Sequence, residues 1–276
     1  MIEKKFGIIG KPLSHSLSPV LQNFWFKKNN LKANYSLMEI EKKQIKDILN
    51  KIRTKEISGI NVTIPYKQEV IPYLDLVIND AKETSSINTI YLNSDNKLVG
   101  DNTDVYGFEK SFINNLNNKD LINKNFLIIG AGGVAPSLIY ALWKKKIKKI
   151  SISNRTYQKA EVIKKKFPFI EIISWEDIVG KSEEMDVIIN ATSLGMKNGL
   201  DFEITIERFK PGLIYYDVIY NPLSTKMLKS FKEKNLKTFN GLDMFLYQGQ
   251  KSFFLWNKIT PIIDEEIKTE IILNLK

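Results

Sequence analysis

Phe126-Leu127-Ile128-Ile129-Gly130-Ala131-Gly132-Gly133-Val134-Ala135 is an apolar run closed by a Gly-X-Gly-X-X-Ala turn, and an amphipathic helical pattern follows it through Trp143. A buried strand that turns on glycines into a helix is the phosphate-binding corner of a dinucleotide-binding domain. Gly130 permits the tight turn, Gly132 lets the backbone approach a pyrophosphate, and Ala135 lets helix and strand pack closely. The helix N-terminus adds amide donors and a positive dipole end. Pro136 is compatible because a proline in the first helical turn loses no intrahelical bond. The alternative is a bare glycine turn with no ligand.

The segments that follow extend the same reading. A second strand, Lys149 to Ser153, ends in Asn154-Arg155-Thr156, about two dozen residues after the first glycine. An NAD enzyme usually places a carboxylate there for the ribose 2′-hydroxyl, whereas NADP needs cations and donors for the 2′-phosphate. Arg155, Thr156 and Lys159 supply these, so NADP is the expected cofactor. A third strand, Asp186 to Asn190, leads into Ala191-Thr192-Ser193-Leu194-Gly195-Met196, a strand-end loop suited to line the nicotinamide crevice. Residues 125–240 thus alternate strand and helix in the order of a Rossmann-type domain.

Towards the N-terminus, short apolar runs again alternate with helical patterns, which argues for an α/β fold with mostly parallel sheets. Strands are expected near 6–10, 34–40, 57–63 and 88–92, and helices near 19–29, 42–52 and 67–78. The polar stretch Asp101-Asn102-Thr103-Asp104 marks the boundary. The expected division is residues 1–103 as a substrate-binding catalytic domain, completed by 241–276, and 104–240 as the NADP-binding domain. Helices within 241–256 and 261–275 should pack back on the first domain, because Met244, Gln248 and Phe253-Phe254-Leu255-Trp256 form a face for another body.

Composition narrows the function classes. The 276 residues are 43% hydrophobic and 26% charged, with a formal net charge of +10. The lysines are spread along the chain, and the runs at 144–149 and 164–166 sit near predicted helix ends, where cations complement the dipole. No aromatic-interleaved basic patch or nucleic-acid motif accompanies them, so a small-molecule substrate is expected rather than nucleic acid. There is no cysteine, which excludes disulfides and thiolate metal sites, and no metal is expected. Met1-Ile2-Glu3-Lys4-Lys5 runs straight into a strand, and no stretch is long and apolar enough to span a bilayer. A cytoplasmic protein with no membrane partner, monomeric or homodimeric, is the expectation.

Two further stretches carry chemistry. Asn61-Val62-Thr63-Ile64-Pro65-Tyr66-Lys67 holds a lysine just beyond a β-branched strand that Pro65 ends, the place where α/β enzymes keep reactive groups. Gly10-Lys11-Pro12-Leu13-Ser14-His15-Ser16-Leu17-Ser18-Pro19 follows the first strand and opens a helix. Ser18 reads as its N-cap with Pro19 at the first helical position. Alternatively, the Ser16 and Ser18 hydroxyls, beside helix N-terminal amides, bind a substrate carboxylate. His15, the only histidine, reads as structural.

Taken together, His15 to Pro19, Asn61 to Lys67, Ser86-Ile87-Asn88-Thr89, Gly100 to Asp104, the glycine turn, Asn154-Arg155-Thr156, Asn190 to Met196, Asp217-Val218-Ile219-Tyr220-Asn221-Pro222 and Asn240 through Gln248 resemble the shikimate dehydrogenase family over almost the whole chain. The resemblance implies NADP-dependent interconversion of 3-dehydroshikimate and shikimate in aromatic amino-acid biosynthesis. It implies Lys67 and Asp104 as the catalytic pair, and Ser16, Ser18, Thr63, Asn88, Asp104, Tyr220 and Gln248 as substrate contacts. On the cofactor side it implies Gly130, Ala131, Gly132, Gly133, Val134, Ala135, Asn154, Arg155, Thr156, Lys159, Thr192, Ile219 and Gly241. The chain departs from the family pattern at Val105, where glycine is common, at Val134 and Pro136, and at Lys159, where arginine is common. Lys159 lacks the bidentate fork of arginine. A quinate or dual-specificity dehydrogenase shares most of these motifs, and a non-catalytic NADP-binding regulator is the rival outside enzymes.

Overall fold

The computed structural model describes residues 3–116, 121–196, 200–202 and 208–275. Met1 and Ile2, the start of the opening read above, lie outside them. Two units are present, one of Met1–Gly107 with Leu246–Lys276 and one of Phe108–Phe245.

The first unit is built on a six-stranded sheet in the order β2-β1-β3-β5-β6-β4. Its strands are β1 (Lys4–Gly10), β2 (Ala33–Glu39), β3 (Gly59–Val62), β4 (Leu76–Val77), β5 (Thr89–Leu92) and β6 (Leu98–Asp101). β1 runs parallel to both β2 and β3, whereas β5 is antiparallel to β3 and β6. Helices α1 (Ser18–Lys28), α2 (Ile45–Arg53) and α3 (Asn79–Thr84) belong to this unit. In α2, Ile45, Leu49 and Ile52 recur at helical spacing and are all buried, sharing a core with Ile60, Val62 and Ile90.

The helix expected over 67–78 does not form. Pro72 has no amide to donate, and the segment makes only short-range bonds such as Tyr73 N to Val70 O and Leu74 N to Ile71 O, a single 3₁₀ turn. Asp75 N then donates to Leu98 O, and the chain enters β4. The last helix starts later than expected, at Glu265, because Asp264 caps it by accepting from Ile267 N at 3.2 Å.

Of helix α9 (Leu242–Asn257), residues 246 onward lie in the first unit. Phe253 packs on Phe26 with ring centroids 5.2 Å apart, and Trp256 packs on Phe6 at 5.0 Å. Fully burying Phe6, Phe26 or Phe253 contributes about 1.5–3 kcal/mol each. Helix α10 (Glu265–Leu273) follows, and Trp25 Nε1 of α1 donates to Ile262 O just before it.

The second unit has a fully parallel sheet in the order β12-β11-β10-β7-β8-β9. Its strands are β7 (Phe126–Ile129), β8 (Ile150–Ser153), β9 (Glu171–Ile172), β10 (Val187–Asn190), β11 (Ile214–Asp217) and β12 (Lys237–Phe239). Numbered within the unit this is the 3-2-1-4-5-6 order of a doubly wound nucleotide-binding fold, whose ligand crevice lies at the carboxyl ends beside the switch between first and fourth strands. Those strands are β7 and β10. The central strands are buried along their whole length, which is why β7 and β10 read as nearly continuous apolar runs. Helices α5 (Ala135–Lys144), α6 (Tyr157–Lys166), α7 (Ile178–Lys181) and α8 (Lys226–Glu233) belong here, and α4 (Asp104–Phe108) continues into a π-type turn closed by Asn114 N to Glu109 O.

Candidate active site

In the first unit, two strand ends deliver a lysine and a carboxylate to one place. Beyond β3, Thr63 N donates to Ile9 O and Tyr66 N to Thr63 O, a turn that the Tyr66 hydroxyl anchors on Ile40 O at 2.7 Å. Lys67 follows it, and its own carbonyl accepts from Ile87 N. Beyond β6, Asn102 Oδ1 accepts from Asp104 N and Val105 N, opening α4. Lys67 Nζ donates to Asp104 Oδ2 at 2.5 Å, and both side chains are nearly enclosed, at 11% and 8% exposure.

Asn88 holds the other carboxylate oxygen. Its Nδ2 donates to Asp104 Oδ1 and to Thr103 Oγ1, both at 2.8 Å, while its Oδ1 accepts from Thr103 N. Behind it lies a buried network that the sequence reading did not single out. Ser252 Oγ of α9 lies 2.8 Å from Thr89 Oγ1 and donates to Gln248 O, and Asn61 Nδ2 donates to Ser252 Oγ. The Tyr35 hydroxyl completes it by donating to Asn61 Oδ1. The available signal was polar residues inside otherwise apolar strands and helices, because buried polar groups need partners.

Ser16 and Ser18 are brought together, with their hydroxyls 3.2 Å apart. Ser18 does not cap α1 as expected. The cap position is Leu17, and it is Ser16 Oγ that accepts from Ser18 N, since the hydroxyls turn towards one another. Pro19 does occupy the first turn. The serine loop lies against the lysine turn, because Lys11 N donates to Ile64 O and a Cβ on Gly10 would overlap Thr63 Cγ2. Gln248 is half-buried on α9. Tyr220 belongs to the second unit, where it stacks on Phe245 with centroids 4.3 Å apart.

In the second unit the glycine turn is fastened from two sides. Gly130 N donates to Ser153 O, and Ala131 N to Asn154 Oδ1. Gly130 has φ +114°, and a Cβ there would lie 2.7 Å from Thr192 Cγ2, so only glycine fits. At Gly132 a Cβ would meet no described atom within 4 Å. That open side is where a pyrophosphate can approach the backbone. Gly133 and Val134 lead into α5, whose first residue, Ala135, is fully buried.

Arg155, Thr156 and Lys159 are exposed between β8 and the first turn of α6, with no acidic residue from 149 to 160. Ser153 Oγ and Asn221 Oδ1 are buried without a hydrogen-bond partner among the described residues. The donor set fits NADP, with an arginine fork, a hydroxyl and an ammonium for the 2′-phosphate. Asn190 Oδ1 accepts from Thr192 N and Thr192 Oγ1, and Gly241 N donates to Ile219 O.

Burial pushes the Asp217 carboxyl up to about 6, against the opposing pull of bonds from Ile219 N, Thr225, Asn190 and Tyr215. Its folded value lies above the unfolded ~3.9, so the folded state holds a proton that the unfolded state has released between the two. Its stabilising contribution is therefore complete below about pH 4 and lost as pH rises through about 6. Relative to Asp217→Asn, the protein should lose on the order of 2–3 kcal/mol between pH 4 and 7. Paired urea titrations across that range check it, and parallel curves would refute it.

Residues 8–90 match the family model described as the shikimate dehydrogenase substrate binding domain, and residues 113–197 match shikimate / quinate 5-dehydrogenase. A shikimate dehydrogenase (NADP(+)) of Pelagibacter ubique is 45% identical over 96% of this chain and 97% of its own length. The chain belongs to the shikimate dehydrogenase family. The crystal structure of the shikimate dehydrogenase of Aquifex aeolicus superposes with TM-score 0.87 at 36% identity, covering 98% of this chain and 99% of that one. That of Thermus thermophilus, in complex with NADP(H) and shikimate, superposes at 0.85 and 27% identity over 99% of this chain and 100% of the other. Two-domain architecture with a Rossmann-type domain is thus shared across shikimate dehydrogenases of distant bacteria. Among the described residues no helix is long and apolar enough to cross a membrane.

Proposed function

We propose that this NADP-dependent shikimate dehydrogenase reduces 3-dehydroshikimate reversibly to shikimate with Lys67 as acid and base and Asp104 as its partner. When bound, NADPH supplies the hydride that turns the ring ketone into an alcohol. As that charge develops, the Lys67 ammonium stabilises it and delivers a proton to the oxygen; in the oxidation direction the neutral amine takes the proton back. The observation that carries the assignment is the enclosed Lys67 to Asp104 pair. It fixes the direction of the ammonium, and Asn88 fixes the carboxylate in turn.

Each Asp104 oxygen keeps a further acceptor site for a substrate hydroxyl. Ser16 and Ser18 would hold the substrate carboxylate, with Thr63, Asn88, Tyr220 and Gln248 on the ring hydroxyls. Held this way, the reacting groups avoid much of the entropic cost of meeting, an effect of about 7 kcal/mol or more in well-oriented systems. The roles divide as residues 1–103 with 241–276 for substrate and 104–240 for NADP, except that Asp104 and Tyr220 serve the substrate and Gly241 the cofactor. Gly130 to Ala135 would receive the pyrophosphate, Asn154 to Lys159 the adenosine phosphate end, and Thr192, Ile219 and Gly241 the nicotinamide end. A cytoplasmic location belongs to the same proposal.

The test follows reduced-nicotinamide absorbance with shikimate and quinate, each paired with NADP and NAD. Rapid reduction is expected only for shikimate with NADP. Arg155→Ala should raise the KM for NADP by about tenfold, the value of one exposed charge-assisted contact, and leave NAD turnover unchanged. Activity with quinate or NAD at comparable rates would overturn the specificity, and an unaltered NADP KM would remove Arg155 from the site.

A further inference from the structure

We infer that Asp217 is a positioning residue for the cofactor end of this reaction, joining the loop after β10, which carries Thr192, to the loop after β11, which carries Ile219 and Tyr220. The inference rests on the assignment of Thr192 and Ile219 to NADP made above. Asp217 ends β11 and is fully buried. Its Oδ1 accepts from Asn190 Nδ2 and from Ile219 N, both at 3.0 Å. Its Oδ2 accepts from Thr225 Oγ1 at 2.8 Å and from the Tyr215 hydroxyl at 3.4 Å.

Each donor ties down a different piece of the crevice wall. Asn190, also fully buried, passes the constraint on: its Oδ1 takes both the amide and the hydroxyl of Thr192, and its Nδ2 also reaches Leu194 O. Ile219, whose amide Asp217 holds, accepts Gly241 N through its carbonyl at 2.9 Å. Thr225 accepts Leu228 N and so caps α8, and a Cβ on Gly195 would lie 3.3 Å from Thr225 Cβ, so the two loops touch. One acceptor-only group is therefore shared by four donors from the strand ends and loops beside the switch point. A carboxylate is the side chain that suits this, because it has two oxygens and no donor of its own.

A group needed only for stability could be apolar, since replacing a buried polar cluster by apolar groups of the same shape is often neutral. What an apolar residue cannot do is hold the Ile219 amide and the Asn190 amide in register, and with them Thr192. Without the Asp217 oxygen, the Asn190 side chain that turns its Oδ1 to Thr192 keeps only Leu194 O at its other end, a carbonyl of the same loop it has to position.

The test compares Asp217→Ala and Asp217→Asn with wild type for NADP dissociation constant, shikimate dissociation constant without cofactor, kcat and Tm, all well below the lowest Tm. Asp217→Ala is expected to weaken NADP binding by about tenfold or more and to lower kcat, because four donors lose their acceptor. Asn keeps one oxygen for Asn190 and Ile219 and offers its NH₂ to two hydroxyls that can accept, so Asp217→Asn should recover only to about two- to threefold weaker than wild type. Shikimate affinity should fall far less than NADP affinity in both, since Tyr220 alone of the proposed substrate contacts sits on the loop that Asp217 holds. Wild-type NADP binding in Asp217→Ala with only Tm lowered would overturn the inference, as would an equal loss of shikimate affinity. If the alanine variant does not fold, Asp217→Asn decides: a rise of about two- to threefold for NADP that exceeds any for shikimate supports the role, and none refutes it. Ile219→Ala run beside them separates the premises. Unaltered NADP binding there fails the loop's assignment and takes the inference with it, whereas weakened binding there beside a wild-type Asp217→Ala fails Asp217 alone.

Discussion

Replacing Lys67 by alanine is expected to lower kcat by about 10²- to 10⁴-fold, the usual worth of a positioned general acid, while shikimate binding stays within a few fold of wild type. The asymmetry follows from where the ammonium acts. Charge appears on the substrate oxygen only as the hydride arrives, so an ammonium aimed there lowers the transition state far more than the ground state. Ground-state affinity is proposed to rest on the serine pair and the ring-hydroxyl contacts, which the substitution leaves in place. Asn88 Nδ2 and Asn102 Oδ1 still hold Asp104 after the truncation. Breaking a nearly enclosed ion pair can cost about 3–5 kcal/mol, so a lowered Tm accompanies the kinetic loss and assays belong well below it. Shikimate calorimetry beside single-turnover kinetics separates the outcomes. Lost affinity with normal single-turnover rate would make Lys67 a binding residue and move the proton to another group.

The centre of the second unit was legible from the sequence because its parallel strands are buried along their length and so print as short apolar runs, each closed by a turn. Phe126–Ile129 and Val187–Asn190 are of this kind, whereas Ile214–Asp217 was not among the strands read. The first unit was less legible. Gln68 to Leu74 has apolar residues at helical spacing, yet Pro72 removes an amide, and β4 has only two residues, too few to print any period. Ser18 sat where a cap should be, but a neighbouring hydroxyl two residues away competes for the same bonds. At the site, Lys67 announced itself by standing at the end of a strand. Asn88 reaches Asp104 from 16 positions away and Asn190 reaches Asp217 from 27, while Ser252 of α9 stands behind Asn88, and no local pattern announces which of the many polar residues will meet. Ser252, 163 positions from Thr89, is the plainest case.

Two glycines should answer alanine substitution in opposite ways. A Cβ on Gly241 would overlap the carbonyl oxygen of Val218 and lie 2.5 Å from Val218 C and 3.0 Å from Ile219 C. These are backbone atoms, so no rotamer change relieves the overlap. Gly241 N also donates to Ile219 O, and Gly241 O accepts Phe245 N in α9, so moving the glycine away costs hydrogen bonds on both sides. Overpacking typically costs about 1–3 kcal/mol and more where backbone must shift, and Gly241→Ala should lower Tm by several degrees or fail to fold. At Gly132 the Cβ would point into space that no described atom occupies within 4 Å. Gly132→Ala should therefore keep the wild-type Tm and shikimate affinity yet weaken NADP binding by about tenfold or more, because the methyl stands where backbone and pyrophosphate must approach. Thermal melts beside NADP titrations read both. Normal NADP binding in a folded Gly132→Ala protein would place the pyrophosphate elsewhere than on this turn. A Gly241→Ala protein of wild-type stability would mean that the strand-end loop at Val218 yields easily, which is also what the hydrogen bonds to Asp217 argue against.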